Sequence, residues 1–285
     1  MRYRPVLSQS ARPATYTVDA VDESGARVAT PIAGEHPLTL YVDKKEIVTL
    51  MTLGAAPEAL AIGFLRNQRL VSSLEQIASV QVDWEVNAVA VATRGGLEDL
   101  EARTRKRTAT TGCGQGTVFG DLMADIESIR LQDETRLDEE TLFGLLNAVR
   151  LHESIYKQAG AVHGCALAQG SEILTFVEDV GRHNAVDAIA GWMWLEGIDG
   201  RDKIFYTTGR LTSEMVIKAA QMQVPVLVSR SGLTKMGHDV AQQVGITMIG
   251  RAVNRHYLLF TGAHRLVKAG AAAPGAKGAA AARHG

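Results

Sequence analysis

Cys113 stands in the segment "RTRKRTATTGCGQGTV", where its surroundings favour a reactive thiol. From Ala102 to Gly120 there is no acidic side chain, and Arg103, Arg105, Lys106 and Arg107 precede the cysteine. Positive charge favours the thiolate, the nucleophilic form. Gly112, Gly114 and Gly116 leave the backbone open on both sides. A helix over Val118 to Ile129 would place Cys113 just before its amino end and depress its pKa further. The alternative is an inert loop cysteine, but such residues are usually buried in apolar surroundings. The basic run reads either as a solvated face or as a dock for an anionic cofactor or acidic partner.

A second constellation is "VHGCALA". His163 and Cys165 lie two apart on a predicted strand and so share a face. A metal site or a Cys–His nucleophile needs that sharing, but two cysteines in the whole chain cannot close a structural zinc site. Cys165 is read as a small core residue and His163 as a hydrogen-bonding group in a pocket. No metal is expected.

Three further segments each place an arginine where a strand gives way to a helix. In "EDVGRHNAVD", Gly181 turns the chain and Arg182, His183 and Asn184 open a helix. In "TTGRLTSEM", Gly209 and Arg210 do the same, and in "VSRSGLTK" Ser229 and Arg230 follow a strand. Free N–H groups at helix starts bind anions, and ligands gather at the carboxyl edge of open α/β sheets. Three arginines there suit a phosphate-rich ligand. Glu178, Asp179, Asp187 and Glu214, in the same strings, are assigned as supporting pocket residues. No dinucleotide or P-loop fingerprint is present.

The elements that must position these residues follow from pattern. "LTLYV" and "EIVTLM" flank Asp43-Lys44-Lys45 as a hairpin. Pro57 opens a helix to about Arg69, and a β-rich stretch spans Ile77 to Thr93. A helix covers Asp138 to Arg150. From Ala161 two strands joined at Gln169-Gly170-Ser171 lead into helix 182–196, strand "KIFYTT", helix 213–222, strand "VPVLVS", a helix near 234–243 and strand "GITMIG". This alternation predicts an α/β fold with a mostly parallel sheet. Residues 1–30 read as a flexible polar arm, 31–100 as a small α+β part, and 101–120 as a mobile basic and Gly-rich loop. Residues 121–267 form the α/β domain, and 268–285 an Ala/Gly tail with nothing to bury.

Composition excludes several classes. The 285 residues are 46% hydrophobic and 21% charged, with a formal net charge of -1, so no nucleic-acid partner is expected. Met1 to Ala20 lacks the apolar run of a secretory signal, and no stretch approaches the ~20 apolar residues that span a bilayer. A cytoplasmic protein without a membrane partner is expected.

"EDVGRHNAVD", "TTGRLTSEMVIKAA" and "VPVLVSRSG…AQQVGITMIG", with "HPLTLYVD" and "APEALAIGFLRNQRL", resemble the FdhD family of formate dehydrogenase accessory sulfur carriers, from about Glu35 to Arg265. The resemblance implies a cytidine-deaminase-like mixed sheet with helices on both faces, and a homodimer. It implies that sulfur passes from a cysteine desulfurase, as a cysteine persulfide, to the molybdenum of a bis-guanine-dinucleotide molybdopterin cofactor destined for the formate dehydrogenase catalytic subunit. The family's loop cysteine falls on Cys113, the catalytic residue. Its cofactor segment falls on Arg251, Ala252, Val253, Asn254, Arg255 and His256. Two departures stand out: Gly116 replaces the family's second loop cysteine, and the segment's arginines sit at Arg251 and Arg255. A cofactor-binding chaperone without sulfur transfer, and a zinc deaminase, are the alternative functions.

Overall fold

The structure, a computed structural model, describes residues 2–97, 129, 131 and 135–268. Its amino-terminal part is built on a five-stranded sheet. Strands β1 (Val6–Leu7), β4 (His36–Val42), β5 (Lys45–Thr52), β6 (Ile77–Asp83) and β7 (Ala88–Thr93) lie in the order β1-β6-β7-β4-β5. The β4–β5 turn is two residues long, and Asp43 and Lys44 both take positive φ (46° and 71°), as a primed hairpin turn requires. Helix α1 (Pro57–Asn67) starts on its proline and buries Leu60, Ile62, Phe64 and Leu65 against this sheet.

Residues 1–30 are not an irregular arm. β2 (Thr15–Val21) and β3 (Arg27–Ala33) form an antiparallel hairpin, and β1 pairs with β6 in parallel. Ser8 Oγ and the Ser10 amide both donate to Glu58 on α1 at 2.7 Å. The hairpin escaped the sequence pattern because neither of its faces is buried. Tyr16, Val18, Val28 and Ile32 are all exposed, so no alternation was imposed on it.

The second part holds β8 (Leu137–Asp138), α2 (Glu139–Leu151), α3 (Ile155–Ala159), β9 (His163–Gln169), β10 (Glu172–Asp179), α4 (Arg182–Glu196), β11 (Ile204–Thr207), α5 (Ser213–Gln221), β12 (Val226–Ser229), α6 (Lys235–Val244), β13 (Thr247–Val253), β14 (His256–Thr261) and β15 (Leu266–Val267). Asp138 caps α2, accepting from the Thr141 amide at 2.7 Å. Six strands form a sheet in the order β10-β9-β11-β12-β13-β14. The fold is mixed α/β, but the sheet is not mostly parallel. Only β11–β12 and β12–β13 pair in parallel, because hairpins add an antiparallel strand pair at one end and β14 at the other. α2 covers one face through Leu142, Leu145 and Leu146. α4, α5 and α6 cover the other, over Cys165, Leu167, Phe205, Leu227 and Met248.

α4 is buried on two sides, which accounts for its lack of a polar face. One side meets the six-stranded sheet and the other crosses α1. The crossing is close: a Cβ on Gly63 would lie 1.6 Å from the Asp187 carbonyl oxygen, and one on Gly191 1.9 Å from that of Ala59. Only glycine allows the two helices, and so the two sheets, to meet there. Among the described residues no helix is long and apolar enough to cross a membrane.

Candidate functional site

Strand directions bring the predicted residues together. β9 is antiparallel to both β10 and β11, so β10 runs the same way as β11, β12 and β13. The carboxyl ends of four strands therefore lie along one edge, with the starts of β9 and β14 between and beside them. Glu178, Asp179, Thr207, Ser229 and Val253 end strands on that edge, and His163 and His256 begin strands there.

Several of these polar groups are committed to the fold. Asp179 accepts from Thr52 Oγ1 (2.5 Å), the amides of Leu53 and Gly181 (both 3.0 Å) and Asn184 Nδ2 (2.8 Å). Asn184 Nδ2 also donates to the Met51 carbonyl at 2.6 Å. This knot ties β5 to the start of α4. Burial pushes the Asp179 carboxyl up, and its four donors pull it back. Asp187, fully buried, accepts from Lys218 Nζ at 2.8 Å and Asn67 Nδ2 at 2.7 Å. Glu178 accepts from the amides of Ile155 and Tyr156 (2.5 and 3.1 Å) and so holds α3 in place. Ser229 Oγ donates to the Gly209 carbonyl at 2.6 Å. Cys165 is wholly buried and donates to Thr207 Oγ1 at 3.3 Å. Burial pushes its thiol up to about 12, so the thiolate that would ligate a metal or attack an electrophile is out of reach.

What remains divides between the two faces of the sheet. On the α4 face stand His163, Arg182, His183 and Arg210, with Glu214 and Lys218 behind them on α5. The stem of Arg182 lies across Gly209, where a Cβ would come within 2.8 Å of Arg182 Cδ. His183 is 4% exposed, and its Nε2 faces Glu214 Oε2 at 3.4 Å, an ion-pair separation outside hydrogen-bond geometry. Lys218 Nζ lies 3.7 Å from Glu214 Oε1. Burial first, then the positive charges of Lys218, Arg182, His163 and Arg210, drive His183 down to about 2, so its imidazole is neutral. His163 is lowered by burial and by Arg182 and Arg210.

On the α2 face lies a cavity of about 370 Å³. Glu178, Arg230, Ala252, Val253 and Asn254 line it. Arg150, Tyr156, Lys157, Phe176 and Tyr206 line it too, and were not singled out. They come from four elements, α2, α3, β10 and β11, and nothing in the local sequence separates Arg150 or Lys157 from an ordinary helix-end charge. Tyr206 is pushed up to about 12, chiefly by burial, with Arg230 acting against the rise. Three cationic groups and three aromatic rings around one space suit a ligand with phosphates and a flat ring system.

Arg251, Arg255 and His256 do not line this cavity. Arg251 to Val253 finish β13, His256 starts β14, and Asn254–Arg255 make the turn, with Asn254 at φ 54°. Arg255 pairs with Glu140 at 2.7 Å and lies over the Phe143 ring. Cys113, its basic loop over 101–120 and the helix expected over Val118 to Ile129 lie outside the described residues, apart from Ile129 itself.

Comparison with known proteins gives a consistent answer. A family model described as the FdhD/NarQ family matches residues 33–267. A sulfur carrier protein FdhD of Wolinella succinogenes is 29% identical over 234 residues, 81% of each chain. One from Halalkalibacterium halodurans is 29% identical over 235 residues, 82% of this chain and 87% of that one. Among solved structures, a putative formate dehydrogenase accessory protein from Desulfotalea psychrophila superposes with a TM-score of 0.72 at 22% identity. That match covers 90% of this chain and all of the other.

Proposed function

The chain belongs to the FdhD/NarQ family, and from that premise we propose that it is a sulfur carrier required for formate dehydrogenase activity, working through a persulfide on Cys113. In this reading the Cys113 thiolate attacks the outer sulfur of a persulfide on a cysteine desulfurase. A new S–S bond forms at Cys113, the donor's S–S bond breaks, and the donor cysteine leaves as thiolate. The S–S bond at Cys113 then breaks, Cys113 leaves as thiolate, and the sulfur passes to the molybdenum of a bis-guanine-dinucleotide cofactor, held as cargo before it enters the formate dehydrogenase catalytic subunit. The two electrons that bring the sulfur to sulfide come from the metal, molybdenum(IV) becoming molybdenum(VI). The carrier acts in the cytoplasm as a homodimer.

The observation that carries this reading is the match over residues 33–267, with relatives named as sulfur carriers. The site agrees with it in chemistry. The α2-face cavity offers Arg150, Lys157 and Arg230 for phosphates and Tyr156, Phe176 and Tyr206 as stacking surfaces for guanine. The state of Cys165 supports Cys113 as the carrier, since the chain's only other thiol is buried and held protonated.

The test is incubation of the full chain with a cysteine desulfurase and cysteine, followed by mass spectrometry of peptides. A one-sulfur gain on the Cys113 peptide, reversed by reductant, is expected. Cys113→Ala should lose both that adduct and formate dehydrogenase maturation while still folding. Maturation by Cys113→Ala at the normal level would end the carrier reading. Because Gly116 leaves no second thiol in the loop, that result would favour a chaperone that holds the cofactor without sulfur chemistry.

A further inference from the structure

Glu178 has bonding capacity that its tie to α3 does not use. It lines the α2-face cavity and is 8% exposed. Phe176, two residues earlier on β10, packs on the α2 side, while Val177 between them packs on the α4 side, so Phe176 and Glu178 share the cavity face. Each carboxylate oxygen accepts one amide, Oε2 from Ile155 at 2.5 Å and Oε1 from Tyr156 at 3.1 Å. An ionised carboxylate has about four lone-pair sites, so one on each oxygen is left over. The cations of the cavity are turned elsewhere. Arg150 donates to Asn147 Oδ1 at 2.8 Å and Lys157 to the Leu151 carbonyl at 3.4 Å. Glu178 pairs with Gly164, whose carbonyl accepts the Thr208 amide at 2.9 Å, and the Arg230 amide donates to the Thr207 carbonyl at 3.1 Å. Arg230 therefore stands three strand spacings from Glu178, about 14 Å across the sheet edge. The floor between them is open because β9 has glycine there: a Cβ on Gly164 would meet Phe176 Cζ at 2.7 Å. The Phe176 ring thus leans over Gly164, into the row of Glu178. Among the described residues that line the cavity, Glu178 is the one carboxylate; the other polar side chains are cations, hydroxyls and the amide of Asn254.

We infer that Glu178 is a specificity-determining residue, which selects guanine among the flat rings that the aromatic walls of the cavity would accept. The base lies along Phe176, and its N1–H and N2–H each donate to one oxygen of Glu178. Its phosphates lie toward Arg230, at the other end of the cavity. Adenine would bring the lone pair of N1 against the carboxylate, and xanthine the carbonyl oxygen at C2. Discrimination comes from that repulsion as much as from the bonds that guanine gains. A buried group built to meet a hydrogen-bonding partner rejects a ring that lacks it by a large factor. This inference rests on the reading of the cavity as a nucleotide site and adds to it the group that recognises the base.

The probes are guanosine, adenosine and xanthosine diphosphates, each titrated into the full chain. The parent should bind the guanosine form at least about tenfold tighter than either of the others. Glu178→Gln offers one acceptor and one donor, the complement of the N1–H and C2 carbonyl of xanthine. It should lose at least about tenfold in affinity for guanosine diphosphate and bind xanthosine diphosphate more tightly than guanosine diphosphate. That reversal is a gain of binding, which a damaged fold does not produce. α3 buries none of its residues, so the amide that the variant no longer accepts can turn to water. Arg230→Ala should weaken guanosine and adenosine diphosphates alike and leave their ratio unchanged, because it acts at the phosphate end. A preference for guanosine diphosphate that survives in Glu178→Gln would overturn the role of Glu178, and so would equal binding of the guanosine and adenosine forms by the parent. In both cases a loss of affinity in Arg230→Ala would keep the cavity as a nucleotide site. Failure of all three probes to bind, or binding that Arg230→Ala does not weaken, would remove that reading and this inference together.

Discussion

The two faces of the sheet edge use polar residues in opposite ways. On the α4 face the carboxylates are bound up in the fold. Asp179 holds four donors, Asp187 holds Lys218 and Asn67, and Glu214 lies between Lys218 and His183. On the α2 face Arg150, Lys157 and Arg230 are all exposed around a cavity. The same segments, read along the chain, look alike on both faces. The difference is burial: a charge that leaves water must find partners in the fold, and one that stays at the rim is left for a ligand. Substitutions in the buried carboxylate network of the α4 face should therefore act on stability, and those at the cavity on binding.

The largest effect should come from Lys218→Ala. It leaves Asp187, fully buried, with Asn67 alone, and loss of one member of a buried pair costs about 3–5 kcal/mol. Urea denaturation should show that loss in the midpoint. Replacing both partners, Lys218→Met with Asp187→Leu, should recover much of it, because the penalty lies in the orphaned charge. A Lys218→Ala chain as stable as the parent would show that the α4-face network is not structural and would remove the contrast.

The elements were more legible than the site. Helix 182–196 was read at its observed bounds because Gly181 and Gly197 flank a segment whose apolar run, Ala185 to Leu195, is broken only by Asp187. The β4–β5 and β9–β10 hairpins were found from turn residues between alternating strands. The β2–β3 hairpin was missed because pattern reading needs a buried face, and this hairpin has none. At the site, the three arginines at strand-to-helix joins were found because that placement has a physical signature. Asn184 was grouped with them as a cofactor-binding residue, and Asp179 and Asp187 as supporting residues of the pocket. A carboxylate that ties β5 to α4 cannot be told by sequence from one that meets a ligand, since its partners Thr52 and Leu53 lie more than a hundred residues away. Arg150 and Lys157 were passed over for the converse reason: only the packing of α2 and α3 on the sheet brings them to Arg230.

Acid should separate the faces next. Free histidine titrates near 6.5, whereas His183 in the fold is held down to about 2. Below pH 6.5 the unfolded chain takes up a proton that the folded chain refuses, so stability falls as the pH drops, by up to about 1.4 kcal/mol per unit. His163, lowered in the same direction, adds to the slope. Asp179 and Asp187 oppose it, because burial raises them and the fold accepts their protons earlier than the unfolded chain does. The window from pH 6.5 to about 5 lies just below the pKa of unfolded histidine, and the histidine share of the slope there is the part that His183→Gln removes. Midpoints measured across that window should fall with pH, and His183→Gln should flatten the slope. An unchanged slope would mean that His183 is not held neutral in the fold.

The smallest stability effects should lie at the cavity, and they sharpen the comparison most. Arg230→Ala removes an exposed guanidinium with no ion pair among the described residues, so its midpoint should move by less than about 0.5 kcal/mol. Binding of a guanine nucleotide should weaken by about tenfold or more, since a charged hydrogen bond to phosphate is lost. Arg255→Ala is the matched control. It loses an exposed pair with Glu140 and a contact over Phe143, together worth about 0–1 kcal/mol, and its side chain does not line the cavity. Nucleotide affinity should therefore be unchanged in Arg255→Ala, although the family resemblance puts Arg255 in the cofactor segment. If Arg255→Ala weakens nucleotide binding as much as Arg230→Ala does, the ligand reaches past the cavity rim onto the β13–β14 turn. The boundary drawn between the cavity and that hairpin would then have to move.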